Sequence, residues 1–400
     1  MKVLFAHDHR FIPADGQVWS VSQFEAALWK RYLAHFESVT VVGRLAGLPP
    51  GKSPAQLELS SAPQVSFELF PNLSNLQGLT LRRPAALRRM KALVARHDAV
   101  IARLPSEIGL LSIRAARALR KPWAVEVVGS ARDGLWNYGS LVGKLYAPVA
   151  EWRMRRAVAA ADHALYVTRT HLQSEYPTSA PNRCSASNVA IAGIADTVLE
   201  ARLAMIEGLD QRALRLGLIG TLNGRFKGIQ TVLSALAQVR KEFPSLKFHI
   251  LGGGDPAPWR AEAARLGVAD LVVFDGTLPA GEPVLRWLDT VDVYLQPSLK
   301  EGLPRALIEA MSRACPAIAS TVAGIPELLP AEDLIRPGDA GSLAVLLRKR
   351  LTDRVWMIDR ARRNSAEAQG YRAELLDKRR MLFWSNFRQS AMLQRAGNAG

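Results

Sequence analysis

Glu301-Gly302-Leu303-Pro304-Arg305-Ala306-Leu307-Ile308-Glu309 sets a carboxylate at each end of a small-residue turn and the first turns of a helix. Pro304 suits the first helical position, where its missing N–H costs nothing. Gly302 has no side chain to hold a ligand away from the backbone. The unbonded N–H groups of that first turn face outward and favour a phosphate. With a helix starting at Pro304, Glu309 lies roughly 7 Å further along the axis. Two carboxylate acceptors flanking an amide-rich helix start suit a molecule with hydroxyls at both ends and phosphates between them, as in a nucleotide-sugar.

Outward from this stretch, short β-rich runs alternate with amphipathic helices. Strands are expected at 3–6, 39–42, 65–69, 99–101, 124–128, 164–167 and 189–191, and helices at 19–35, 84–96, 108–119 and 141–160. The Pro-, Gly- and Ser-rich stretch 47–61 reads as a loop. A break falls at 201–212, and the alternation then restarts with strands at 214–219, 246–251, 271–274, 291–295 and 317–319. The helix 228–242 has an apolar face of Ile229, Val232, Leu233, Leu236 and Val239. This pattern predicts two α/β domains with doubly wound parallel sheets, 1–205 and 206–370. The segment 371–400 carries Phe383, Trp384 and Phe387, which need something to pack on.

The run Gln296-Pro297-Ser298, Glu301, Glu309-Ala310-Met311, Ala319-Ser320 and Gly324-Ile325-Pro326-Glu327 resembles the donor site of family-4 retaining glycosyltransferases. The resemblance covers most of the C-terminal half. It implies the GT-B fold: two Rossmann-like domains facing across a cleft, the first for the acceptor, the second for the nucleotide-sugar, with the last helix returning to the first domain. By the same resemblance Glu301 holds donor-sugar hydroxyls, Glu309 holds the ribose, and Gly302, Leu303 and Pro304 bring the helix start to the phosphates. Gly220-Thr221-Leu222-Asn223-Gly224-Arg225-Phe226-Lys227-Gly228 is similar to the family's Gly-Arg…Lys-Gly loop, whose cations neutralise the departing diphosphate. Thr221 stands where many members have Arg, which leaves Arg225 to supply the second cation beside Lys227. Gly253, in Gly252-Gly253-Gly254-Asp255, is placed beside the nucleotide, and Thr277, after Phe274-Asp275-Gly276, in the base pocket.

In the first domain the resemblance implies a glycine turn in 7–16, met by Gly16, with His7, Asp8 and His9 as acceptor contacts. Many family members have a histidine after the strand corresponding to 124–128; here Gly129-Ser130-Ala131-Arg132-Asp133 follows, and Asp133 and Arg132 are the substitutes. No Asp-x-Asp run of the metal-dependent kind occurs, so neither a metal nor another cofactor is expected. Tyr166-Val167-Thr168, Leu172-Gln173 and Tyr176-Pro177 look like a segment of bacterial surface-polysaccharide enzymes. The expected partners are therefore a UDP- or GDP-sugar and a saccharide acceptor, lipid-linked or small and soluble.

The formal net charge is +16 over 400 residues. Such a balance attracts polyanions. Stretch 81–97 carries Arg82, Arg83, Arg88, Arg89, Lys91 and Arg96 without an acid, with Leu87, Met90, Leu93 and Val94 at helical spacing. It reads either as a solvated face or as an interfacial helix on anionic lipid. Trp152-Arg153-Met154-Arg155-Arg156 adds a second basic cluster. A nucleic-acid-binding protein is the alternative from another class, but zinc spacing, RNA-binding aromatics and a helix-turn-helix pattern are missing. The two cysteines, Cys184 and Cys315, stand apart with no CxxC, which argues against a disulfide framework or metal site. Neither a signal peptide nor an apolar run long enough to cross a bilayer is read, so a cytoplasmic protein is expected, peripheral on the inner membrane face if the basic helix binds lipid.

Overall fold

The structure, a computed structural model, describes residues 1–51, 53–138, 141–209 and 213–397. The chain divides into two units, Met1–Ala186 with Asp377–Gly400, and Ser187–Leu376.

The first unit is a nine-stranded sheet with helices. Its strands are β1 (Lys2–Ala14), β2 (Gln17–Ser20), β3 (Ser38–Leu45), β4 (Glu58–Leu59), β5 (Val65–Phe70), β6 (Ala99–Leu104), β7 (Trp123–Val127), β8 (His163–Tyr166) and β9 (Asn182–Ser185). Its helices are α1 (Ala26–Leu33), α2 (Leu76–Leu79), α3 (Arg83–Ala95), α4 (Glu107–Ala118), α5 (Ala131–Tyr138), α6 (Leu141–Ala159) and α7 (His171–Glu175). Seven strands pair in parallel in the order β5-β3-β1-β6-β7-β8-β9. All of β6 is buried, as expected of a strand covered on both faces.

Two expectations fail here for one reason. The stretch 7–16 is not a loop, and no helix begins at Trp19. Instead β1 continues to Ala14, turns through Asp15 and Gly16, and pairs back onto β2. Asp15 and Gly16 have φ of 51° and 72°, both left-handed, which is what a two-residue hairpin turn demands and what an Asp-Gly pair supplies. The hairpin claims Trp19, and α1 starts only at Ala26. His7, Asp8 and His9 fall where the β1–β3 register shifts, between Ala6 and Arg10. The expected loop 47–61 contributes β4, which pairs with β2.

The second unit holds α8 (Asp196–Glu207), β10 (Arg215–Ile219), α9 (Ile229–Val239), β11 (Lys247–Leu251), α10 (Ala257–Arg265), β12 (Val272–Gly276), α11 (Glu282–Asp289), β13 (Val293–Gln296), α12 (Arg305–Ser312), β14 (Ala317–Ser320), β15 (Leu334–Ile335), α13 (Ala340–Arg350) and α14 (Arg354–Ala368). Its six strands are all parallel, in the order β12-β11-β10-β13-β14-β15. The expected apolar face of α9 is buried in the core beside Leu216, Leu218, Phe248 and Val293.

The division between units lies at 186/187, upstream of the break read at 201–212, whose last three residues are outside those described. Arg202 explains why α8 belongs to the second unit. Its buried guanidinium donates to the carbonyls of Leu288, Val291 and Arg313, at the C-terminal ends of α11 and α12. A cation there answers the partial negative charge of two helix ends. The expected strand at 189–191 is reduced to a single bridge from Ile191 to Arg372. The last helix, α15 (Ala373–Gly397), joins the first unit from Asp377 onward. Its Trp384 ring lies 5.4 Å from Tyr32, and Phe387 lies 6.2 Å from Phe36 and 5.0 Å from His163. These rings are the packing partners that Phe383, Trp384 and Phe387 require.

Candidate active site

In open parallel sheets ligands bind at the carboxyl ends of strands where the strand order reverses. In the second unit that point lies between β10 and β13. The loop after β10 carries Lys227 and the loop after β13 carries Glu301. Lys227 Nζ donates to Glu301 Oε1 at 2.6 Å, joining side chains 74 residues apart. Two further groups hold the same oxygen: Gln296 Nε2 and Ser298 Oγ, each at 2.9 Å. Gln296 also donates to Ser298 Oγ at 2.9 Å and accepts from the Tyr294 hydroxyl at 2.8 Å. Tyr294, Gln296 and Ser298 are fully buried, and a side chain in this network is locked before any ligand arrives.

Glycines let these loops close on one another. Gly228 has φ of 78°, and a Cβ there would lie 1.9 Å from the Pro297 carbonyl oxygen. The Phe226 carbonyl accepts from the Leu299 amide at 2.7 Å. Gly252 likewise abuts Gly220, whose carbonyl oxygen would be 1.9 Å from an added Cβ. The Gly253 carbonyl accepts from the Leu222 amide at 2.8 Å. A Cβ on Gly253 would meet the Thr277 methyl at 3.2 Å, so these two expected nucleotide contacts are neighbours. Gly302 faces open space.

Pro304 is the cap of α12 rather than its first helical residue: its ψ of 117° is extended, and Arg305 opens the helix. The amides after Pro304 have no side-chain cap, so they remain available to an anion. Leu303, just before the cap, is packed against the core. Glu309 sits one turn inside α12, with Arg305 3.8 Å away. Burial raises the Glu309 carboxyl above its usual range, and Arg305 opposes that rise. Burial also pushes the Tyr294 phenol well up, helped by the negative charge of both Glu301 and Glu309. Tyr294 is linked to Glu301 through Gln296. Tyr294 went unremarked in the sequence, although it alternates with Gln296 on one strand and so faces the same way.

Arg225 is held elsewhere. Its guanidinium makes two 3.0 Å bonds to Glu262 on α10 and lies 5.4 Å from the centre of the Trp259 ring. Its side chain is 59% exposed. The structure brings Lys227, and not Arg225, to Glu301.

The first unit has its own reversal point, between β1 and β6. A cavity of about 170 Å³ there is lined by Asp8, Ser106, Glu107, Leu110, Tyr146 and Met154, among others. Asp8 accepts from the Glu107 amide at 2.6 Å, an anion placed at the start of α4. Burial raises the Asp8 carboxyl, and Arg44 at 3.8 Å pulls it back. Glu107 accepts from Tyr146 at 2.7 Å and from Arg153 at 2.8 Å, and burial with that carboxylate pushes the Tyr146 phenol up to about 12. The sequence does not mark Glu107, Tyr146 or Arg153 as site residues. Their only signal was Ser106-Glu107 at a strand-to-helix junction. His7 lies beside this cavity but turns away, its Nδ1 3.0 Å from the Arg103 carbonyl and its ring stacked on Phe24. Burial lowers the His7 pKa to about 3 and the His9 pKa to about 4, with Arg103 adding to both. Asp133 is exposed on α5, next to Gly134 of the cavity wall. Gly16 occupies the hairpin turn.

Residues 213–353, which contain the Lys227–Glu301 site, match the family described as glycosyl transferases group 1. The chain is a glycosyltransferase. Over 94% of its length and 92% of the relative's, it is 25% identical to protein CapJ of Staphylococcus aureus. The transferase is also 30% identical to a GDP-mannose-dependent phosphatidylinositol monomannoside mannosyltransferase of Mycolicibacterium smegmatis, across 62% of this chain and 65% of that one. Among solved structures, Anabaena HepE in complex with UDP superimposes with a TM-score of 0.61 at 17% identity, covering 94% and 98% of the two chains. The transferase thus has the GT-B fold.

Proposed function

We propose that this transferase is a retaining, metal-independent member of family 4. It would move a hexose from a UDP- or GDP-sugar to a lipid-linked saccharide at an anionic membrane surface, in surface-polysaccharide assembly. The carrying observation is the Lys227–Glu301 pair, fixed by Gln296 and Ser298 at the sheet's reversal point. As the glycosidic bond breaks, negative charge grows on the leaving diphosphate. Lys227 and the first amides of α12 are the groups that meet it. With an ammonium and oriented amides in place, no metal ion is called on. Glu301 then takes donor-sugar hydroxyls, Glu309 the ribose, and Gly253 and Thr277 border the base.

Asp8 and Glu107, neighbours in the lining of the first unit's cavity, are the acceptor-side groups. Support for the two bases comes from relatives: HepE was crystallised with UDP, and the mycolicibacterial relative is named for GDP-mannose. A donor panel tests the reading by nucleoside diphosphate release, with and without excess EDTA, and by the anomeric configuration of the product. Release in EDTA with an unchanged anomeric centre supports it. A strict Mg²⁺ or Mn²⁺ requirement, or an inverted product, sinks it.

A further inference from the structure

The apolar stripe of α3 does not reach solvent, because Met90, Leu93 and Val94 are buried. Two of its arginines are also occupied, Arg83 with Glu107 and Arg89 with Glu68. An exposed apolar stripe of this unit does lie on α6. Leu145 is 81%, Val149 48% and Trp152 58% exposed. With Arg156 they fall at i, i+4, i+7 and i+11, one face of a helix. Beside Trp152 runs a groove of about 680 Å³ between α4 and α6, lined by Arg83, Arg114, Arg117, Arg153 and Arg156. Among the described residues, Glu107 pairs with the arginines Arg83 and Arg153. Arg114 and Arg117 are exposed and have no carboxylate partner among the described residues, and Arg156 lies over the Trp152 ring at 5.6 Å.

We infer that the α4–α6 face of the first unit docks on an anionic phospholipid bilayer, with Leu145, Val149 and Trp152 entering the interface and Arg114, Arg117 and Arg156 taking lipid phosphates. Each part of the surface fits one layer of a membrane. A tryptophan suits the headgroup boundary, and arginines reach phosphates while their stems lie on apolar surface. A soluble phosphate or a nucleic-acid backbone would satisfy the arginines but leave the leucine and valine in water. The inference rests on the membrane-presented acceptor proposed above and assigns the surface that meets it.

The test is co-sedimentation of the full chain with phosphatidylglycerol-containing vesicles and with neutral phosphatidylcholine vesicles. The wild type should bind the anionic vesicles far better, and less so as salt screens the charge. R114S/R117S/R156S should lower that affinity by about a hundredfold. L145S/V149S/W152S should leave only weak binding that salt abolishes. K241S/R265S/K349S removes the same charge from exposed positions of the second unit and should bind as the wild type does. Equal loss in the two charge variants, no loss in the arginine variant, equal wild-type binding to neutral vesicles, or tighter binding to RNA than to vesicles would overturn the assignment. Thermal shift with UDP and GDP on the same samples separates the two readings. Vesicle binding without a nucleotide response removes the transferase mechanism and leaves the surface standing.

Discussion

Lys227 Nζ donates to Glu301 at 2.6 Å, so in the proposed reaction a diphosphate would have to share or take that ammonium. Lys227→Ala should cut transfer at least about tenfold, some 1.4 kcal/mol in the barrier, with the fold intact. Glu301→Gln should also lose transfer by that factor, yet bind free nucleoside diphosphate more tightly, because the competing carboxylate charge is gone. Product inhibition constants read the second effect, and unchanged values would contradict the exchange. His7 and His9 make a second residue-scale case. Their folded pKa values, about 3 and about 4, lie below the unfolded value of about 6.5. The unfolded chain therefore binds more protons as pH falls through 6.5, and stability is lost from there down to about pH 4 for His9 and about pH 3 for His7. The His7→Gln variant should lose less stability than the wild type between pH 7 and pH 5, by about 2 kcal/mol, in denaturant titrations. A parallel loss would remove His7 from the account. The candidates Lys227, Glu301 and Glu309 are legible because each belongs to a local motif that follows a strand. Glu107 is not, since its partners Tyr146 and Arg153 are distant in sequence and nothing local marks the pairing.

Among the elements, the loop from β10 to α9 depends on one backbone conformation. Gly228→Ala would place a Cβ in a left-handed residue and against the Pro297 carbonyl. It should cost about 2 kcal/mol and displace Lys227, lowering donor binding as well as the melting temperature. A variant that keeps both would show that the loops have room to part. Periodicity carried most of the helices and parallel strands, since buried parallel strands and amphipathic helices leave different spacings. It failed at 7–35. There the apolar spacing from Trp19 onward imitates a helix, and the Asp15-Gly16 pair, a local hairpin signal, also fits a ligand loop. Arg202 shows another limit. A charged residue in α8 gave no hint that three carbonyls 86 to 111 residues away would bury it.

The molecule as a whole is one unit interrupted by another: the chain leaves the first at Ala186 and rejoins it at Asp377. A fragment ending at residue 376 lacks Phe383, Trp384 and Phe387, and so uncovers Tyr32, Phe36 and His163. Its first unit should be protease-sensitive while its second still gains melting temperature with UDP or GDP, as linkage requires of any ligand that binds the folded state. Protection of the first unit in that fragment would show that α15 is dispensable to its core. The same interruption sets an order on the ribosome. Domains generally fold as units and in the order they emerge, but here the rings that close the first core are translated after the whole of the second unit. The second unit is complete while its predecessor still waits for α15. Any chaperone that attends this chain during synthesis therefore has the amino-terminal sheet to guard, and for the longer time.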